Sequence, residues 1–468
     1  MSFLRDAAGL GKALVYTLEE VDRTDHPAGK GPGGPGKCCS EFLSCSESRQ
    51  QCKFESIVKE GSPFVLYATE KDKLVFLEFD DKDALWAEPF LDRGARKLVK
   101  VGSRVVVCSF DTAKAWIEEH NKYDVLLEGR CSFVFNCGRC GSTLMHKALV
   151  ALDVQSSSEP HWCDQLGIRA PSTPRDDTWR ALVLCLALEF HLSPRPDAKR
   201  FSLNPKNVGG GAFLADIVAI DFPKSTMCFM YRSCEKVMDS FGRLLNGSDD
   251  DAAIEADRAA WAEVPPLCRV ATLPLLPLYA TALEEAAKAG NLPFGEASRA
   301  KVAMEFCKWF DAIVPWLQLV QKRHDENLDD PITRAVSIRY DDFVAKETRE
   351  DVLVAALRHL GGFFETDGDV AKAVAVFETN SQAGSAMTAH ASAPFLTDQD
   401  KSLARRCVSS LEKVLKVPVK ALDGGANLLL PNSLGAKDCP TYKVPEMSGW
   451  KKFNAKVTKF EENNCAQS

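Results

Sequence analysis

No stretch of this 468-residue chain reaches the roughly 18 consecutive apolar residues that a membrane-spanning helix needs. The N-terminus has no apolar run followed by a small-residue cleavage site, and residues 10–18 are too short and mixed to serve as either. The expectation is a cytoplasmic protein with no membrane span. An excess of base is also missing: 58 Lys and Arg stand against 65 Asp and Glu, a net charge of -7. That balance argues against non-specific nucleic-acid binding and leaves room for a local basic pocket. Two C-x-x-C pairs of the kind that together hold zinc are lacking too. The 17 cysteines are scattered, several in apolar runs as buried small residues would be, and reduced thiols are the simpler reading. Cys38, Cys39, Cys45 and Cys52 have neither C-x-x-C spacing nor a second cluster nearby, so no metal is expected there.

What is present is a run from Phe133 to Leu144 in which an apolar strand-like segment feeds Cys137-Gly138-Arg139-Cys140-Gly141 and then Ser142-Thr143 at the start of a helical pattern. Gly138 and Gly141 permit a tight turn and close approach of the backbone to a ligand. Ser142 and Thr143 open a helix whose first amides face the loop, an arrangement that stabilises phosphate or sulfate. Leu144, Ala148 and Leu152, with Met145 and Leu149, give that helix an apolar face for packing on a sheet. The nucleotide triphosphatase signature G-x-x-x-x-G-K-[ST] is absent, because Gly141 stands where its Lys would be and Arg139 is the nearest cation. Cys137-Gly138-Arg139-Cys140 also has the C-x-x-C spacing of thioredoxin-like redox chemistry, but that reading accounts for neither the Gly141-Ser142-Thr143 that follows nor the next segment.

Ser225 to Arg232 reads as a short apolar strand ending in a base, and Ser240 and Arg243 follow eight and eleven residues later. On a helix Ser240 and Arg243 share a face, and with Arg232 they form a second phosphate-binding candidate.

These two segments resemble the sulfotransferase superfamily. Arg139-Cys140-Gly141-Ser142-Thr143 is similar to its [KR]-S-G-[ST]-[ST] loop, and Arg232 to Ser240 keeps the eight-residue offset of its R-x-P-x-x-x-x-x-S segment, with Cys140 and Cys234 replacing the usual Ser and Pro. Ser337 to Phe343 and, less closely, Asn380 to Ser385 are similar to later family segments, so that the resemblance spans about residues 128–395. It implies 3'-phosphoadenosine 5'-phosphosulfate (PAPS) as sulfuryl donor, the bisphosphate PAP as product, and no metal. The donor's phosphosulfate would lie on Cys137, Gly138, Arg139, Cys140, Gly141, Ser142 and Thr143, and its 3'-phosphate on Arg232, Ser240 and Arg243.

Transfer to a hydroxyl or amine needs a proton acceptor. Glu159, eighteen residues beyond Gly141, falls about where related enzymes carry a catalytic Glu. His161 competes, with the better unperturbed pKa. Lys206 reads as a surface loop lysine that would otherwise add a cation near the donor.

The expected fold class is α/β, a mostly parallel sheet flanked by helices with the anion site at a strand end, preceded by a smaller β-rich region. The expected divisions are 1–125, with a flexible Gly- and Pro-rich loop at 24–37; 126–400, the transferase-like part; and 401–468, a helix and irregular tail. Within 1–125, strands are expected at Pro63 to Tyr67, Leu74 to Phe79, Lys97 to Val101 and Arg104 to Phe110, with a helix around Thr112 to Glu119. Further helices are expected at 178–190, 249–260, 296–322 (broken at Pro315), after Asp342 to near Gly361, and at 398–415. Three classes of function stay open: a sulfotransferase acting on a small soluble acceptor, a P-loop kinase with a substitute for the missing Lys, and a non-catalytic descendant of the sulfotransferase fold. Oligomeric state and acceptor identity are not written in the sequence.

Overall fold

The computed structural model describes residues 3–5, 8–23, 38–120, 122, 129–170, 173–205, 211–222, 224–246, 335–360, 367–378, 394, 396–398, 401–402, 405 and 433–434. The expected loop at 24–37, Lys206, Asn380 to Ser385, the helices at 249–260 and 296–322, and most of 398–415 and of the tail lie outside them.

The architecture is α/β with two sheets. The first is antiparallel and N-terminal: β1 (Lys12–Val21), β2 (Leu43–Cys45), β3 (Gln50–Lys53), β4 (Phe64–Glu70), β5 (Lys73–Glu78) and β6 (Arg104–Ser109), in the order β2-β1-β6-β5-β4 with β3 also on β1. The second is parallel: β7 (Cys131–Asn136), β8 (Gln155–Ser158), β9 (Phe201–Asn204), β10 (Thr226–Tyr231), β11 (Ala335–Arg339) and β12 (Ser433–Leu434), in the order β12-β11-β10-β7-β9-β8.

Both faces of the antiparallel sheet are covered at β4, β5 and β6, which is why those strands are apolar on both sides. Along β5, Leu74 and Phe76 enter the main core while Val75 and Leu77 enter a second one, and Val105 to Cys108 on β6 alternate in the same way. On β4 the alternation slips: Tyr67 and Ala68 both face the second core, at the point where the β4–β5 register shifts between Leu66 and Ala68. The second core is closed by α2 (Lys82–Trp86) and α3 (Leu91–Leu98), which follow the short α1 (Glu55–Val58).

The strand expected at Lys97 to Val101 does not form. Leu91, Ala95 and Leu98 recur at spacings of four and three, so this segment packs by the helical period. Val99 then donates its amide to Ala95 O at 2.9 Å before the chain turns at Gly102. The other expected elements of this region are present as β4, β5, β6 and α4 (Phe110–Glu119).

The parallel sheet carries α5 (Ser142–Ala151), α6 (His161–Arg169), α7 (Arg175–His191), α8 (Ala215–Asp221), α9 (Cys234–Asn246), α10 (Tyr340–Val344), α11 (Arg349–His359) and α12 (Asp367–Ala375). From β7 the chain passes first to β8 and β9 on one side and then to β10 and β11 on the other. The carboxyl end of β7 is therefore the topological switch point, where open parallel sheets bind ligands. A polar joint ties the two sheets together. Gln165 on α6 accepts from Thr69 N and donates to Glu70 Oε1, both at 2.7 Å, and Arg169 Nη2 donates to Thr69 O at 3.1 Å.

Candidate functional site

At the end of β7 the chain turns through three conformational exceptions within four residues, Gly138 (φ 78°), Arg139 (φ 50°) and Gly141 (φ 87°). Arg139 is the costly one, since a side chain rarely sits at positive φ. Gly141 is the N-cap of α5, and a Cβ there would lie 3.1 Å from Tyr340 Cδ2 and 3.2 Å from Phe343 Cδ1. With no side-chain cap from Gly141 and no acidic residue in its first turn, α5 opens with the positive end of its dipole toward the loop. Ser142 and Thr143 are buried in that first turn.

Two further elements shape the loop. Met230 O, near the end of β10, accepts from Cys137 N at 3.0 Å and from the Cys140 thiol at 3.2 Å. Asn136 Oδ1 accepts from Gly138 N at 2.9 Å. Asn136 Nδ2 donates to Asn204 Oδ1 at 3.1 Å and to Pro205 O at 3.0 Å, and Asn204 Nδ2 donates to Ser158 Oγ at 3.1 Å. This buried side-chain relay runs along the carboxyl edge of β7, β9 and β8, from the loop to the residue before Glu159. Sequence reasoning missed Asn136, Asn204 and Ser158; the available signal was a polar residue closing each of three short apolar or serine-rich strands.

The two anion-binding candidates meet. Arg139 Nε donates to Ser240 Oγ on α9 at 2.8 Å, and Arg232 Nη1 donates to Arg139 O at 3.2 Å while its guanidinium lies 4.3 Å above the Tyr340 ring. Arg243 lies one helical turn beyond Ser240 on α9. Tyr340 opens α10 directly after β11, so the segment from Ser337 to Phe343 forms one wall of the site.

The two loop thiols are both buried. Burial pushes Cys137 up. Burial also raises Cys140, but the Cys137 thiol, the Cys137 and Ser142 amides and the Arg232 guanidinium outweigh it and bring Cys140 below the usual cysteine value.

Glu159 follows β8 with φ 53°; its amide donates to Asn204 O at 2.8 Å and its carbonyl accepts from Asp92 N at 3.3 Å. Its side chain is half-buried. His161 is enclosed: its ring stacks on Tyr67 with centroids 5.1 Å apart, meets the Phe42 ring edge-on at 5.3 Å, and has Nδ1 3.7 Å from Asp92 Oδ1. Asp92 also accepts from the Tyr67 hydroxyl at 3.1 Å and faces Arg96 Nε at 3.5 Å. Cys38, Cys39, Cys45 and Cys52 are free thiols, and among the described residues no group of His, Cys, Asp or Glu side chains is arranged to hold a metal ion. No helix among the described residues is long and apolar enough to cross a membrane. A separate cavity of about 1030 Å³, floored by Phe110, Leu166, Trp179, Leu184 and Phe222, takes no residue from the loop.

No protein-family model matches the chain, and no curated protein does. Among solved structures, sulfotransferase STF1 from Mycobacterium tuberculosis H37Rv is similar over 64% of this chain and 81% of that one, at 13% identity and a TM-score of 0.32.

Proposed function

We propose that this chain is a sulfotransferase that moves a sulfuryl group from PAPS to a hydroxyl or amine of a small acceptor, with Glu159 as the base. The observation that carries the reading is the hydrogen bond from Arg139 to Ser240, backed by the one from Arg232 to Arg139 O. Two segments that separately read as anion-binding share one place, at the switch point of a parallel sheet and at a helix N-terminus with no acidic residue in its first turn.

The donor set fits a phosphosulfate anhydride that carries a second phosphate. Two guanidiniums, a serine hydroxyl and helix-terminal amides all favour an anion. The amides of residues 140–143 and Arg139 would hold the phosphosulfate end, and Arg232, Ser240 and Arg243 the second phosphate. Ser240, bonded to Arg139, joins the two subsites. When bound, the donor supplies the sulfuryl group and a phosphate leaving group. Arg139 and the α5 amides stabilise charge that develops on the leaving oxygen, and they are organised before substrate arrives.

Glu159 takes the acceptor proton from a half-buried position linked to the loop through Ser158, Asn204 and Asn136. His161, walled in by Phe42, Tyr67 and Asp92, holds the N-terminal sheet against the Glu159 segment.

Calorimetric titration with PAP, beside ATP and beside Arg232→Ala, tests the reading. The expected result is PAP binding that weakens at least tenfold in the variant, and ATP binding that is much weaker than PAP. Folded protein that binds no PAP would overturn the donor site. PAP binding with no turnover on any acceptor would favour a non-catalytic protein of this fold.

A further inference from the structure

Glu189 sits in the last turn of α7 with no exposed surface, among Cys185, Leu186, Leu188 and Phe190. A carboxyl in such a place costs stability that a leucine would not. Its two oxygens have separate partners: Ser157 Oγ donates to Oε1 at 2.7 Å and Trp162 Nε1 donates to Oε2 at 3.1 Å. Those partners are not scattered. Ser157 lies two residues before Glu159 and Trp162 three residues after it, so one buried carboxyl fastens both flanks of the turn that bears the proposed base.

That turn needs fastening. Glu159 holds φ 53°, a strained conformation for a residue with a side chain, and it persists only where its surroundings over-determine it. Its amide is bonded to Asn204 O and its carbonyl to Asp92 N. Both contacts fix the backbone at a single point, whereas the Glu189 bridge fixes the span from β8 to α6.

We propose that Glu189 is the positioning residue of the Glu159 turn: by bridging Ser157 and Trp162 it holds the segment between them in the geometry that presents Glu159 to an acceptor. The catalytic meaning of this clamp rests on Glu159 being the base; the clamp itself does not. Burial raises the Glu189 carboxyl to about 7, against the hydrogen bonds from Ser157 and Trp162, so its charge changes near neutrality. The titratable groups that interact with it are Cys163 on α6 and Cys185 on its own helix, with Asp164 acting on Cys163 and Arg169 on Cys185; burial pushes both cysteines well above their usual range, where they stay neutral.

The test compares the parent with Glu189→Gln, which keeps the shape and one acceptor, and Glu189→Leu, which keeps neither bond. Three quantities are read: PAP affinity by calorimetry, PAP release from PAPS with water as acceptor across pH 5.5 to 8.5, and hydrogen exchange at the Glu159 amide. PAP affinity should stay within about twofold in both variants. In Glu189→Leu, PAP release should fall at least tenfold and exchange at the Glu159 amide should rise at least tenfold. Glu189→Gln should retain more of the rate and lose the inflection near pH 7. Trp162, identified through Trp162→Phe, should show an indole N–H resonance that titrates near pH 7 in the parent and not in Glu189→Gln. Unchanged Glu159 exchange in both variants would overturn the clamp whether or not the protein transfers sulfate. A parent that neither binds PAP nor releases it would remove the sulfotransferase reading, and the exchange and indole data would still decide the clamp.

Discussion

Arg139 Nε donates to Ser240 Oγ across 101 residues of sequence, and that single bond joins the loop after β7 to the helix after β10. Arg139 reaches Ser240 from a positive-φ position, so the loop is bent into a costly shape that aims a guanidinium at α9. If the pair acts as one unit on a bound bisphosphate, its members are not independent. Arg139→Ala and Ser240→Ala should each weaken PAP binding, and the double variant should lose less than the sum, with a coupling on the order of 1 kcal/mol. Calorimetry on the four proteins of the cycle gives the number. Additive losses would mean that the two residues contact different parts of the ligand.

Gly141→Ala tests the turn without touching a charge. The added methyl meets two strains, a φ of 87° and aromatic carbons of Tyr340 and Phe343 at 3.1 and 3.2 Å. A loss of about 1 to 3 kcal/mol in denaturant stability is expected. PAP binding should weaken as well, since the same φ aims the first amides of α5. Full stability together with full binding would show that the loop has room to relax.

Much of this site was legible because its chemistry is local. Cys137 to Thr143, and Arg232 with Ser240, are short strings whose spacing encodes a turn, a strand end and a helix face, and the apolar runs of β7 and β10 mark themselves. Three features were not legible, each for a physical reason. The Asn136, Asn204 and Ser158 relay depends on which strands are neighbours, a long-range property with no signature within any one strand. The helix at Leu91 to Leu98 ends in a run that alternates for only a few residues, too short for period two to be told from the helical period. The enclosure of His161 by Phe42, Tyr67 and Asp92 comes from the N-terminal sheet and the turn and helix packed on it, residues up to 119 positions earlier in the chain.

That enclosure predicts an effect on stability. Asp92 is buried between Tyr67, Arg96 and His161, so Asp92→Ala removes the carboxylate of a buried ion pair together with the acceptor of the Tyr67 hydroxyl. The expected cost is about 3 to 5 kcal/mol. Tyr67→Phe removes one hydroxyl bond and keeps the ring stacked on His161, for a cost of about 1 kcal/mol. Urea denaturation of both variants checks the ranking, and equal costs would mean that Asp92 contributes no more than its bond to Tyr67.

Two buried titrating groups lie near the proposed base, and their pH effects oppose each other. Burial raises Glu189 from its usual 4.5 to about 7, opposed by its bonds from Ser157 and Trp162. Burial, helped by Lys147, lowers His146 from 6.5 to about 4, with His146 Nδ1 2.8 Å from Ser156 Oγ. The folded state holds the Glu189 proton more tightly than the unfolded chain does, so that contribution is full below about pH 4.5 and is lost as pH rises through 7. The folded state resists protonating His146, so that contribution is full above about pH 6.5 and is lost as pH falls toward 4. Between pH 4.5 and 6.5 the two slopes oppose, each on the order of 1.4 kcal/mol per pH unit. Single variants should expose what the parent conceals. Relative to the parent, Glu189→Gln should gain about 2 kcal/mol as pH rises from 5 to 7, and His146→Asn should lose about 2 kcal/mol as pH rises from 4.5 to 6.5. Denaturant titrations at half-unit pH steps measure both differences. A variant curve that runs parallel to the parent would show that the replaced group titrates alike in the folded and unfolded chains, and is therefore not held as its burial requires.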